Sequence, residues 1–244
     1  MVVAGFPLRS LLREVRLFLG IGSDATSHRE KWLSGLGALI GMLVLAAACQ
    51  WWVPLAMQPL MIASVGATAV LLFAVPHGAL SQPWAVVGGY AVSALLGVFC
   101  QQQIPHEALA MALAVGGSVV AMYYLRCLHP PGGAAALIAV TGGSEVEQLG
   151  YLYVLIPALF NAGVLVLAAV VFNVWFPWRR YPAHLLHPQL RPTVPAPAVR
   201  LSEDDFTHAL QQMDTYVDIT PEELHDLYER ACEHALQNRR RGNR

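Results

Sequence analysis

Charged residues are almost missing from the middle of the chain. No Asp, Glu, Lys or Arg occurs between residues 32 and 106, and only four occur from there to residue 178. Soluble domains have about 25% charged residues spread along the chain, but this chain has 13%, nearly all at its two ends, and 56% hydrophobic residues. The distribution excludes a soluble domain in the middle of the chain. It predicts an integral membrane protein surrounded by the lipid bilayer, with no nucleic-acid partner.

Spacings typical of a metal site, a disulfide or a catalytic cluster are also missing. Three of the four cysteines lie in apolar runs, where a buried structural thiol is expected: Cys49, Cys100 and Cys127. The histidines of the membrane region form no His-x-x-x-His pair and have no paired acids beside them: His77, His106 and His129. We therefore expect no metal, no cofactor and no enzymatic activity.

Six apolar segments fill the uncharged region. At 1.5 Å per residue, most are long enough to cross a hydrocarbon core of about 30 Å as helices. The fifth has only ten residues and is too short, and Pro157 is expected to kink the sixth near one end. The segments are residues 34–53, 60–75, 83–101, 108–127, 132–141 and 150–176.

A short internal repeat relates the two halves of this region. Residues 66–71 and 133–138 are similar at an offset of 67, and the same offset places Trp84 on Tyr151. Three crossings per unit require the second unit to be inverted in the membrane, as in many transporters. The predicted fold class is an all-α polytopic membrane protein with six membrane segments in a 3+3 inverted repeat, two of them short or broken. Chance similarity between two helices rich in Ala and Gly is the alternative.

Both ends of the chain are rich in arginine, which predicts that both lie in the cytoplasm, in a bacterial inner membrane. Termini on the same side require an even number of crossings. Six crossings are favoured. Four crossings also satisfy the rule if segments 60–75 and 132–141 re-enter the membrane without crossing it.

The chain divides into four regions by composition. Residues 1–31 are expected to form an amphipathic cytosolic segment, 32–178 the transmembrane domain, 179–200 a proline-rich linker and 201–244 a cytosolic helical hairpin. The second hairpin helix has a capping box in the sequence Thr-Pro-Glu-Glu that begins at Thr220. This tail is either a solvated hairpin or an arm for regulation or assembly into a homo-oligomer.

One motif carries the chemistry of the membrane region: His129-Pro130-Pro131-Gly132-Gly133-Ala134. Two prolines in apolar sequence break a helix, and a new helix can start at Pro131. Its first N–H groups, around Gly132 to Ala134, are then expected to lack intrahelical partners and to face an anion. His129 lies beside them as a donor whose charge can change near neutral pH. A capping or packing histidine is the alternative for His129.

The repeat predicts a second set of binding residues. Ser64, Gly66, Ala67 and Thr68 follow a proline and begin another stretch rich in Gly and Ala. In an inverted repeat, the two half-helix N-termini would meet near the midplane and hold one small anion between their dipoles. Asn161 is expected either to reach the same place or to hydrogen-bond between helices.

These residues resemble the signature of the HPP family of integral membrane proteins. The resemblance rests on residues 129–134, 66–73 and 80–84, followed by Gly88-Gly89, and covers about residues 28–178. It implies four spanning helices and a transport role, and the nitrite transport of chloroplast and cyanobacterial members implies nitrite as the substrate. Two positions depart from the family pattern: Ala85 often has Asn in its place, and Tyr90 often has His. Residues 201–237 resemble a segment that leads into CBS domains in other members.

The sequence therefore predicts a transporter or channel for a small inorganic anion, with nitrite as the candidate. The predicted binding residues are Ser64, Gly66, Ala67, Thr68, His129, Pro130, Pro131, Gly132, Gly133, Ala134 and Asn161. A scaffold or sensor that acts through the cytosolic tail is the second hypothesis. A membrane-embedded enzyme is the third.

Overall fold

A computed structural model describes residues 26–52 and 58–185, together with single positions at 15, 18, 19, 208, 224 and 228. Within these residues every regular element is helical and there are no strands. The predicted all-α class is therefore confirmed for the described part of the chain. Most of the predicted N-terminal segment, most of the proline-rich linker and nearly all of the C-terminal hairpin lie outside the described residues, and α1 begins at His28, inside the predicted N-terminal segment.

In the described residues, seven α-helices and four short turns make up the fold. Four of the described helical stretches are long and apolar enough to cross a membrane: His28–Trp51, Pro83–Gln103, Glu107–Tyr124 and Val154–Asn173. The α-helices are α1 His28–Trp52, α2 Gln58–Ala74, α3 Pro83–Gln103, α4 Glu107–Tyr124, α5 Pro130–Thr141, α6 Gly143–Leu149 and α7 Phe160–Asn173. A π-helical turn, Val154–Leu159, precedes α7, and 3₁₀ turns cover Ala79–Ser81, Pro177–Arg179 and Ala183–Leu185.

The predicted six full spans are not confirmed, because two of the apolar helices are short. α2 has 17 residues, or about 26 Å, and α5 has only twelve, or about 18 Å. The order long, short, long occurs twice along the chain, at the positions where the sequence predicts two halves. The short helix α6 was not predicted from the sequence.

Proline determines where two helices break. α5 begins at Pro130, one residue before the predicted start, and its N-cap His129 is extended, with φ −145° and ψ 103°. A proline at the first helical position costs no hydrogen bond, since that N–H would have no partner. Pro157 lies in the π-helical turn, and the preceding Ile156 leaves helical geometry, with φ −134° and ψ 109°. The predicted kink at Pro157 is confirmed.

α3 lies at the centre of the fold and packs against α4, α5, α7 and the π-helical turn. Its contact with α5 depends on glycine. A Cβ at Gly89 would lie 2.7 Å from the Cβ of His129, and one at Gly97 would lie 2.7 Å from the carbonyl oxygen of Ala136. Residue 129 lies beside residue 89, and residue 136 lies beside residue 97. The two segments therefore advance in the same direction, and the segment that includes α5 runs parallel to α3.

Hydrogen bonds join several helix ends at one end of the bundle. Arg179, after α7, binds Glu30 at the start of α1 and the Phe73 carbonyl near the end of α2. Tyr181 donates to the Ser81 carbonyl in the turn before α3. The Trp84 indole, at the start of α3, donates to the Leu125 carbonyl just after α4. The starts of α1 and α3 therefore lie at the same end as the final residues of α2, α4 and α7, and we call this the Arg179 end.

Candidate functional site

Four buried polar side chains from three parts of the chain meet inside the bundle. Thr68 and His129 have no exposed surface, Tyr90 is 1% exposed and Ser64 is 6% exposed. Ser64 and Thr68 come from α2, Tyr90 comes from α3, and His129 is the N-cap of α5. We call these four residues the His129 cluster.

His129 is held at both ring nitrogens. Its Nδ1 lies 2.8 Å from the Leu80 carbonyl oxygen, and its Nε2 lies 2.9 Å from the Thr68 hydroxyl oxygen. A carbonyl can only accept, so Nδ1 carries the proton, and the Nε2 of a neutral ring must accept a hydrogen bond from Thr68. The extended backbone at His129 turns the ring toward α2, because the two prolines that follow start the helix immediately after it.

Tyr90 continues this hydrogen-bond chain into α2. Its hydroxyl oxygen lies 3.0 Å from that of Thr68 and 3.2 Å from that of Ser64. It also donates to the Ser64 carbonyl at 3.0 Å. The rings of Tyr90 and His129 are 5.6 Å apart, tilted by 47°. An unbroken chain of hydrogen bonds thus runs from Leu80 through His129, Thr68 and Tyr90 to Ser64.

The cluster lies well inside the apolar part of the bundle. Gly89, which contacts His129, is six residues from the start of α3 at the Arg179 end. Thr68 is six residues from the end of α2, and Ser64 is ten. At 1.5 Å per residue, the chain of hydrogen bonds rises from about 9 Å to about 15 Å above that end. It therefore reaches close to the middle of a bilayer of about 30 Å.

The predicted open amides at the start of α5 are not found at Gly132. Its N–H donates to the His129 carbonyl at 2.8 Å, and Pro130 and Pro131 have no N–H to offer. Proline thus removes two of the donors that a helix N-terminus normally leaves unpaired, and the N-cap carbonyl binds the third. The prediction that Gly132 presents a free donor to an anion is wrong.

The predicted second half-helix N-terminus is also wrong. α2 begins at Gln58, so Ser64, Gly66, Ala67 and Thr68 lie inside the helix rather than at its start. Their N–H groups take part in the helical ladder, where each amide pairs with the carbonyl four residues earlier. Ser64 and Thr68 instead contribute their side-chain hydroxyls to the cluster.

The remaining predicted residues divide by exposure. Ala67, Pro130 and Ala134 are exposed, and Gly66 and Gly133 are partly exposed, so these five lie outside the cluster. Pro131 and Gly132 are buried, and a Cβ at Gly132 would lie 2.9 Å from the Gly89 carbonyl oxygen. Their role in the structure is close packing against α3.

Asn161 is buried, and its described hydrogen bond goes to α1 rather than to the cluster. Its side-chain oxygen accepts a hydrogen bond from the Cys49 thiol at 3.4 Å. This bond joins α7 to α1, as expected for an asparagine that hydrogen-bonds between membrane helices. The predicted burial of three cysteines is confirmed, since Cys49, Cys100 and Cys127 are all buried thiols.

Sequence reasoning missed Tyr90 as a site residue. It noted this position only as a departure from the HPP pattern. A usable signal was present, because Tyr90 follows two glycines inside an apolar segment and is not near the segment ends, where membrane tyrosines concentrate. A buried tyrosine hydroxyl needs a hydrogen-bond partner.

A second buried polar group closes the Arg179 end, and we call Glu30, Ser34, Asn173 and Arg179 the Arg179 clamp. The Arg179 guanidinium pairs with Glu30 and donates to Ser34 at 3.1 Å, to Asn173 at 3.2 Å and to the Phe73 carbonyl at 2.6 Å. Burial lowers the pKa of Arg179, and the carboxylate of Glu30 opposes this change. Glu30 neutralises the charge of Arg179, so the clamp offers no free cation. Its hydrogen bonds join α1, α2 and α7.

Within the described residues, no three His, Cys, Asp or Glu side chains gather as they would to hold a metal ion.

Comparison with known proteins gives one family and two relatives. A family model described as the HPP transmembrane region matches residues 23–182. Two proteins of Dictyostelium discoideum, both described only as transmembrane proteins, are similar to the chain. One is 33% identical over 182 residues, which cover 71% of this chain and 64% of the relative. The other is 34% identical over 167 residues, which cover 66% of this chain and 52% of the relative. The chain therefore spans less than two thirds of each relative. No solved structure matches it.

Proposed function

Because the chain belongs to the family of HPP transmembrane regions, we propose that it is a membrane transporter for a small inorganic anion, with nitrite as the first candidate. The observation that supports this most is the His129 cluster. Ionisable and polar side chains are costly inside a membrane and usually mark a pathway or a binding site. Four of them meet here in the interior of an integral membrane bundle. Nitrite is favoured by the chain's resemblance to the nitrite-transporting members of the family.

We propose six crossings, the fifth made by a broken helix. Residues 125–129 run beside α3 from Trp84 to Gly89, which are five helical residues or about 7.5 Å apart. The twelve residues of α5 add about 18 Å, so the two parts together reach about 25 Å, close to the thickness of a hydrocarbon core of about 30 Å. The helix ends that meet at the Arg179 end support alternating directions for α1, α2, α3, α4 and α7. In this arrangement both termini lie on the same side.

The anion would be held by side-chain donors rather than by open amides. The hydroxyls of Ser64, Thr68 and Tyr90 and the protonated Nε2 of His129 can each donate one hydrogen bond. An anion would accept such a bond in exchange for one that the four residues make among themselves. Nitrite has two oxygen atoms that can accept such bonds. Donors without a fixed positive charge can replace the water around an anion and still allow the anion to leave. Permeation requires both steps.

Nitrite uptake into proteoliposomes tests the proposal. Vesicles that contain the purified chain are expected to take up nitrite faster than empty vesicles at every point between about pH 5 and 8. Thr68→Val should lower this flux, because valine keeps the shape of threonine and removes its hydroxyl. Ser118→Ala is the matched control, since the buried Ser118 hydroxyl donates at 2.6 Å to a carbonyl of its own helix. Flux equal to that of empty vesicles would reject a nitrite transporter.

A further inference from the structure

We infer that the His129 cluster binds a proton together with the anion, so that nitrite crosses this bundle with one proton and no net charge. The inference rests on the proposed transport of a small anion and adds a second substrate to it. It follows from which groups in the cluster can donate and which can accept, and from which charged groups surround His129.

With a neutral His129, the hydroxyls point toward the ring. Nδ1 donates to the Leu80 carbonyl, so Thr68 must donate its hydroxyl proton to Nε2. The Thr68 oxygen can then accept from Tyr90, and the Tyr90 oxygen can accept from Ser64. Every atom in the chain has a partner of the right kind in this state.

With a protonated His129, the same atoms pair again after the hydroxyls of Thr68 and Tyr90 both turn around. Nε2 now donates to the Thr68 oxygen, Thr68 donates to the Tyr90 oxygen, and Tyr90 donates to the Ser64 carbonyl at 3.0 Å. The Ser64 carbonyl is therefore the final acceptor that makes this second state complete. Because no heavy atom needs to move, the cluster can accept a proton at Nε2 with all its hydrogen bonds intact.

The surroundings of His129 supply no negative charge in the described residues. Tyr90 faces it from α3, the neutral Thr68 faces it from α2, and the Leu80 carbonyl faces it from the turn before α3. Cys127, on its own segment, packs against Gly88. No carboxylate of the described residues hydrogen-bonds to the ring, and the one buried ion pair described, Arg179–Glu30, lies at the end of the bundle.

This arrangement couples the proton to the anion. A buried imidazolium without a carboxylate is costly, and a buried anion without a cation is costly as well. Either ion lowers the cost of the other, so each increases the affinity of the cluster for its partner by the same factor. The proton on Nε2 and the anion beside the cluster should therefore bind together, and the pair that crosses is electrically neutral.

Three fluxes measured on the full chain in proteoliposomes test the inference: nitrite uptake, proton uptake with a pH-sensitive dye inside the vesicles, and the response to an imposed membrane potential. Rates of empty vesicles are subtracted, because nitrous acid crosses bare lipid. We expect one proton to enter with each nitrite, an increase in uptake when the outside is acidic, and no change with membrane potential.

The variants separate coupling from folding. Thr68→Val and Tyr90→Phe should each reduce coupled uptake about tenfold or more, as expected when a hydrogen bond that supports a charged group is lost. Tyr153→Phe is the matched control, because the buried Tyr153 hydroxyl donates to the Ala135 carbonyl at 2.9 Å outside the hydrogen-bond chain. Equal losses in Tyr90→Phe and Tyr153→Phe would overturn the inference.

A second measurement reports the protonation of His129 directly and does not require any variant to transport nitrite. ¹⁵N NMR of labelled histidine in lipid nanodiscs, with His129→Gln to assign the signal among the nine histidines, reports the proton on Nε2. Nitrite should raise the fraction of protonated His129 at a fixed pH, and chloride should not. Nitrite uptake that follows the membrane potential without proton entry would overturn the inference and leave a transporter. Uptake no faster than in empty vesicles would reject the proposed function itself.

Discussion

The Nε2 atom of His129 lies 2.9 Å from the hydroxyl oxygen of Thr68, and both side chains are completely buried. Sixty-one residues separate them in the chain, so the contact joins the start of α5 to the inside of α2. The contact places the family's His-Pro-Pro motif in a hydrogen-bond chain rather than beside open helix amides. The prolines fix the backbone at His129, and hydroxyls of α2 and α3 form the hydrogen-bond chain that its ring joins.

We expect Thr68→Ser to keep most of the nitrite flux and Thr68→Val to lose most of it. Both changes leave the backbone of α2 unaltered, but only serine keeps the hydroxyl that partners His129. Uptake into proteoliposomes, normalised to the amount of folded protein, measures the difference. Similar flux in the two variants would mean that Thr68 matters for packing and not for hydrogen bonding.

Single-cysteine labelling can decide between six and four crossings. Ala79 and Gln148 are both exposed. Six crossings place Ala79 and Gln148 on opposite sides of the membrane, whereas four crossings with two re-entrant segments place both on the same side. Ala79→Cys and Gln148→Cys, in a chain whose native cysteines are replaced, should therefore react from opposite sides of sealed vesicles with a thiol reagent that cannot cross the membrane. Labelling from one side only would favour the four-crossing arrangement.

The sequence was sufficient for the parts of the fold that depend on composition and proline. Missing charge indicated the membrane domain, and the positions of Pro130 and Pro157 indicated where helices break. Such features are local, because proline changes the backbone wherever it occurs. The boundaries of the long helices were predicted to within three residues at most ends. The exceptions are the start of α1, six residues before the predicted start, and the start of the sixth segment, four residues after it at Val154.

The candidate site could be predicted only in part, since it depends on contacts between distant residues. Ser64 and Thr68 were chosen for the wrong reason, as parts of a helix N-terminus, whereas His129 was chosen as a side-chain donor. The structure brings them together through side chains. Tyr90 completes the cluster, and the repeat did not predict it, because the repeat compares backbone positions and not hydrogen bonds. Likewise, Glu30 and Arg179 lie 149 residues apart, and nothing local indicates that they pair.

Glycine at position 97 should be required for the packing of α3 on α5. Gly97→Ala would bring a Cβ within 2.7 Å of the Ala136 carbonyl oxygen and of the Ala139 Cβ, and such overpacking typically costs about 1–3 kcal/mol. Gly116→Ala is the matched control, since nothing lies within 4 Å of a Cβ there. Thermal unfolding in detergent should show a lower midpoint for Gly97→Ala alone. Equal midpoints would mean that the two helices can separate slightly without cost.

Glu30→Gln should destabilise the bundle by about 3 kcal/mol, because it leaves the buried Arg179 guanidinium without its carboxylate. Glutamine has nearly the same size and can still accept the hydrogen bond from Trp178, which is 3.1 Å from the carboxylate, so the change removes mainly charge. Denaturant unfolding in mild detergent measures the loss.

Arg29→Gln is the control for that loss, since Arg29 is exposed and stacks 4.3 Å above the Trp178 ring. It should cost about 1 kcal/mol or less. In the double variant Glu30→Gln/Arg179→Met, the buried charge is absent, so the total loss should be smaller than the sum of the two single losses. Losses that simply add would show that Glu30 and Arg179 do not stabilise each other, and the Arg179 clamp would then depend on the hydrogen bonds to Ser34, Asn173 and Phe73 alone.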